Sequence, residues 1–82
     1  MVHVHGARVA GSSDGWTENC LQAGETATGR YPNQPRATMP WYHDHATGVT
    51  RLNVHAGLAG RWFIRDTVED DLGLPRAPTR CR

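Results

Sequence analysis

Lysine is absent from this chain of 82 residues, and all nine of its basic side chains are arginine. These arginines are spread among eight acidic residues, giving a net charge of +1. Without a basic stripe there is no electrostatic footprint for nucleic-acid binding. Large apolar side chains are also scarce: Leu, Ile, Val and Phe together make 13 of 82 residues, below the roughly 20% expected of a well-cored domain. The near-zero net charge nonetheless argues against disorder. A chain this short holds one small domain at most. It buries only roughly 60% of its unfolded surface, so a metal, a disulfide or a partner is needed to support it. No apolar run approaches the ~18 residues of a membrane-spanning helix. The chain enters Met1-Val2-His3-Val4-His5 directly, and no basic-then-apolar leader is expected within it. The two cysteines, Cys20 and Cys81, permit one disulfide but form neither a framework nor a Cys-x-x-Cys pair. Nucleophile elbows and phosphate-binding glycine loops are likewise missing.

What remains reads as β structure. Val2 to His5 is a short strand broken by Gly6, with Ala7 to Ala10 continuing it. Gly11 to Gly15 is a turn, Asp14-Gly15 supplying the positive φ, and Leu21 to Gly24 is a second turn. The Thr-rich run Glu25 to Tyr31 is a strand candidate. After the loop Pro32 to Pro35, Thr38 to His45 is another strand; Pro40, having no N–H, belongs at an edge or near its start. Between Ala46 and Gly60 the spacing predicts a short turn of helix within a loop. Arg61 to Arg65 is the strongest strand candidate, and Asp66 to Arg82 a surface loop or tail. Four short strands separated by turns predict part of a β-sandwich or barrel.

Histidine is the informative residue. Four of the five form His3-Val4-His5 and His43-Asp44-His45. Along a strand, residues i and i+2 share one face about 6–7 Å apart, so two such pairs on adjacent strands bring four imidazoles together. Neutral imidazole suits copper, zinc, iron or nickel rather than magnesium or calcium. Four histidines could complete one tetrahedral zinc or copper site in a small non-catalytic module, or supply half the ligands of a larger cluster. A cupin-type site is disfavoured, since no Glu follows either pair within Gly6 to Ala10 or Ala46 to Thr50. His55 stands alone and is read as a histidine without a role.

Five segments then occur in a specific order: His3-Val4-His5-Gly6, Ser13-Asp14-Gly15-Trp16, Tyr31-Pro32-Asn33-Gln34, Trp41-Tyr42-His43-Asp44-His45-Ala46, and Thr50-Arg51-Leu52-Asn53-Val54-His55-Ala56-Gly57-Leu58-Ala59-Gly60. Together they resemble the first cupredoxin domain of bacterial multicopper oxidases, in the branch of spore-coat laccases, bilirubin oxidases and phenoxazinone synthases. The resemblance spans roughly residues 2 to 75. It implies an all-β fold, a partial cupredoxin-like Greek-key β-sandwich truncated at both ends, occupying residues 1–66, with 67–82 a loop or divergent tail.

That family draws electrons singly from phenolic, aminophenolic or tetrapyrrole substrates and reduces O2 to water at a trinuclear copper cluster. The resemblance assigns His3 to the type 2 copper, and His5, His43 and His45 to the type 3 pair. It gives Asp14 the role of an acidic proton relay beside the cluster, a task suited to a carboxylate; Asp14 is also a natural turn residue. The type 1 copper site is absent, because neither Cys20 nor Cys81 is flanked by histidine. With the remaining cupredoxin domains missing, the chain is expected to be inactive alone. Three departures from the family stand out: Pro40 replaces a usual leucine and removes a ladder hydrogen bond, His55 replaces a tyrosine, and the sequence after Pro75 diverges.

Overall fold

A computed structural model describes residues 1–16 and 18–74. Cys81 and the divergent end of the tail lie outside them.

Alternating valine and histidine form strand β1, Val2–His5. It ends where expected, at Gly6, whose φ of +89° turns the chain so that Ala7 N–H donates to the Val4 carbonyl at 3.1 Å. Ala7 to Ala10 therefore does not prolong the strand. A single 3-10 turn, Gly11–Ser13, follows, closed by Asp14 N–H donating to the Gly11 carbonyl.

The turn at Leu21 to Gly24 is present, with Glu25 N–H donating to the Gln22 carbonyl at 3.0 Å. The strand expected over Glu25 to Tyr31 does not form. Its composition favours extended backbone, but a strand needs a ladder partner. The segment is tied to the rest of the chain by Arg30 N–H donating to Ser13 Oγ at 3.0 Å.

Strand β2, Trp41–Asp44, lies at the centre of a three-stranded antiparallel sheet of order β1-β2-β3. Its register sets His3 opposite His43 and His5 opposite Trp41. Helix α1, Thr50–His55, is the short helical turn expected in the Ala46 to Gly60 segment, and β3 is Ala59–Arg61. The strand candidate Arg61 to Arg65 is thus displaced towards its N-terminal side, with Ile64 rejoining as a bridge to Thr38. That bridge keeps the β2–β3 register, since Thr38 and Ile64 lie three residues beyond the Trp41–Arg61 pair on each strand. Pro40 is the interruption: Trp62 N–H donates to its carbonyl at 2.9 Å, and proline has no N–H to return.

Helix α2, Thr67–Asp71, occupies part of the segment read as a loop. Its cause is legible in Asp66-Thr67-Val68-Glu69, an N-cap pattern: the Asp66 carboxylate accepts from Glu69 N–H at 2.8 Å. Among the described residues no helix is long and apolar enough to cross a membrane.

The three-stranded antiparallel sheet with two short helices fits part of a cupredoxin-like all-β fold. Its two faces differ. One carries His3, His5, Trp41 and His43; the other carries Val2, Val4, Tyr42 and Asp44. Val4, 1% exposed, and Ile64 are buried, and so is Pro40.

Candidate metal centre

Antiparallel pairing of β1 and β2 stacks the two histidine pairs side by side. The His3 ring centroid lies 5.6 Å from His5, 5.3 Å from His43 and 5.1 Å from His45. His43 lies 6.4 Å from His5 and 6.0 Å from His45. His45 sits just past the strand end, where its N–H donates to the Met1 carbonyl at 2.7 Å. His43 is buried at 7% exposure, His3 and His45 are half-buried, and His5 is exposed.

The rings are held through their Nδ1 atoms. His3 Nδ1 lies 2.6 Å from the Asp14 carbonyl oxygen, and His43 Nδ1 lies 2.6 Å from the Asp44 carbonyl oxygen. A carbonyl oxygen can only accept, so both Nδ1 atoms carry the proton and both Nε2 atoms present a lone pair. Such carbonyl–imidazole contacts characteristically fix metal-binding histidines. A potential ligand atom from each of His3, His5 and His43 lies within 4.8 Å of the others. His45 stands outside that set, but its Nδ1 is buried with no hydrogen-bond partner, as a nitrogen awaiting a ligand would be. Three clustered nitrogen donors and one orphaned nitrogen suit a borderline transition metal such as copper.

Asp14 meets His3 chiefly through its backbone carbonyl. Its carboxylate Oδ1 is 3.4 Å from His3 Nδ1, farther than the carbonyl of the same residue. His55 is exposed at the end of α1 and is not part of the three-histidine set. Cys20 is exposed.

Three contributors escape a reading of motifs alone. Trp41 lies against His43 with ring centroids 4.4 Å apart, and 5.8 Å from His5. Its position two residues before His43 on the same strand face is the signal that could have found it. Asn53 of α1 donates through Nδ2 to Asp44 Oδ2 at 2.8 Å, tying the helix to the residue between His43 and His45. Gly15 is buried against β1.

Comparison with known proteins agrees with this geometry. The sequence matches the multicopper oxidase family over residues 1–69. It is 45% identical over 84 aligned residues to a laccase of Bacillus stratosphericus and 43% identical over 83 to a laccase of Bacillus subtilis, with 93% and 92% of this chain covered. It is 40% identical over 74 residues to a bilirubin oxidase of Albifimbria verrucaria, with 90% of this chain covered. The match covers only 16%, 16% and 13% of those three relatives. With two histidine pairs converging on one sheet face and a family match over most of its length, this chain belongs to the multicopper oxidase family.

Proposed function

We propose that this chain contributes copper ligands to an oxidase of the laccase type. In this reading His3 binds a type 2 copper, and His5, His43 and His45 bind a type 3 pair. The copper cluster would supply the redox chemistry, passing four electrons to O2 to give water as a phenolic, aminophenolic or tetrapyrrole reductant gives them up singly. The remaining ligands and a type 1 copper would come from further cupredoxin domains, since these 82 residues contain no His-Cys-His segment. One observation carries the reading: four imidazoles gather on one sheet face, with neighbouring ring centroids 5.1 to 6.4 Å apart.

The chain's own residues have narrower tasks. The carbonyls of Asp14 and Asp44 hold the Nδ1 protons of His3 and His43, which leaves each Nε2 free to hold a metal. We assign to Asp14 Oδ1, 3.4 Å from His3 Nδ1, the holding of a proton destined for reduced oxygen. Trp41 covers one face of His43 and keeps water from that side.

Copper titration of the 82-residue chain tests this reading. Removing a ligand by His3→Ala or His43→Ala should weaken binding at least about tenfold. Unchanged affinity in both variants would overturn it. The chain by itself should show no laccase turnover. A second reading, one zinc or copper ion held without catalysis, draws on the compactness of the His3, His5 and His43 set. One tightly bound tetrahedral metal per chain favours that reading, whereas weak, substoichiometric copper favours the oxidase.

A further inference from the structure

The His3 ring is oriented from a distance along the chain. Its Nδ1 donates to a carbonyl eleven residues away, that of Asp14, whereas His43 uses the carbonyl of the very next residue. The Asp14 carbonyl belongs to the same rigid peptide plane as the nitrogen of Gly15. Where Gly15 sits therefore decides where that oxygen points.

No residue with an L side chain fits the place Gly15 takes. Its φ is +71°, in the left-handed region that side chains disfavour. It is buried, and it packs on the backbone of β1. A Cβ built at this position would overlap the Val2 carbonyl oxygen, and would stand 2.8 Å from the Val2 carbonyl carbon and 3.1 Å from the His3 Cα. Those atoms are backbone and cannot rotate away. Gly24 offers a contrast: its φ is also positive, at +92°, yet a Cβ there meets nothing within 4 Å.

We propose that Gly15 is the positioning residue that fixes the tautomer of His3. By lying flush on Val2 without a side chain, it brings the Asp14 carbonyl to His3 Nδ1, holds the proton there and leaves Nε2 as the only ring atom open to a metal. Any L side chain at position 15 lifts the Asp14–Gly15 peptide off β1. The His3 ring then loses its 2.6 Å carbonyl acceptor, the Asp14 carboxylate at 3.4 Å standing beyond good hydrogen-bond length, and exchanges between both tautomers. The steric and tautomeric parts stand on the geometry alone; the consequence for copper rests on the reading of His3 as a ligand.

Long-range proton–nitrogen correlation spectra of the metal-free, 15N-labelled chain test this directly, at a pH where the imidazoles are neutral. In the unaltered chain His3 and His43 should both show the Nδ1–H pattern. In Gly15→Ala, His3 should lose that pattern while His43 keeps it, and in Gly24→Ala both should keep it. Retention at His3 in a folded Gly15→Ala chain overturns the proposal. Should Gly15→Ala fail to fold, Gly15→D-Ala decides. Its methyl occupies the opposite position and its backbone accepts positive φ, so His3 must retain Nδ1–H, and loss overturns the proposal. Copper affinity should fall about tenfold or more in Gly15→Ala. A changed tautomer with unchanged copper affinity upholds the role of Gly15 and counts against His3 as a ligand.

Discussion

Two aspartates show how the same side chain serves this molecule in different ways. Asp14 acts mainly through its carbonyl, which any residue could supply, so its contact with His3 is not written in its side chain. Asp66 acts through its carboxylate. One oxygen accepts from Glu69 N–H and the other from Ala37 N–H, each at 2.8 Å. These two backbone donors, with the charge of Arg36 adding to them, hold the Asp66 carboxyl below its usual range. A carboxyl depressed on folding contributes stability above its unfolded pKa, about 3.9, and loses it as the pH falls through the lower folded value. The local structure at α2 should therefore loosen in acid below about pH 4. Asp66→Asn should keep the cap on Glu69 N–H, because asparagine caps as well as aspartate, while losing the second acceptor, which serves Ala37 N–H, and the titration. The amide proton shifts of Glu69 and Ala37, followed between pH 2 and 6, report it. Identical profiles in the two proteins would contradict the assignment.

Among the elements, the β2–β3 ladder is the one a single residue interrupts. Thr38 and Ile64 exchange two hydrogen bonds of 3.1 and 3.0 Å, and Pro40 with Trp62 would do the same but for the missing N–H. Pro40→Leu restores that donor. The new bond gains about 0.5–1.5 kcal/mol, and the loss of proline's constraint on the unfolded chain costs about 0.4–1 kcal/mol. The two nearly cancel, so stability should change by less than about 1 kcal/mol. The expected signature is instead local: the amide of residue 40 should be protected from hydrogen exchange, and rapid exchange there would mean the ladder does not close. Pro40 also shows how far the elements could be read from residues alone. Alternation and turn residues sufficed for β1, β2 and the helical turn α1, and the two His-x-His pairs sufficed to bring four histidines to one face. Glu25 to Tyr31 failed because propensity cannot say whether a partner strand is within reach. α2 lies in a segment that its polar composition and prolines make read as loop, and the Asp66 to Glu69 capping pattern is the one local signal that marks it. The tautomers of His3 and His43 depend on which carbonyls arrive, and for His3 that carbonyl comes from another loop.

Taken as a whole, the molecule is held by its sheet more than by a core. Among the described residues Val4 and Ile64 are buried, while Val2, Met39, Tyr42, Leu52, Leu58 and Phe63 are exposed. The radius of gyration is 15.2 Å, against about 11–12 Å for a compact domain of this size. So little apolar burial leaves a small margin of stability, and a bound ion can change it by a large fraction. A metal that binds only the folded chain stabilises it by RT ln(1 + [L]/Kd), about 2.7 kcal/mol at a hundredfold excess over Kd. In a domain this small, each kcal/mol raises the melting temperature by about 4–8 °C. Copper at that excess should therefore raise it by roughly 10–20 °C. The gain should disappear in the His3→Ala/His43→Ala double variant, which loses donors from two strands at once. Melting curves followed by circular dichroism, with and without copper, decide the matter. An equal rise in the double variant would place the ion elsewhere, and no rise in the unaltered chain at that excess would mean that copper does not prefer the folded chain to the unfolded one.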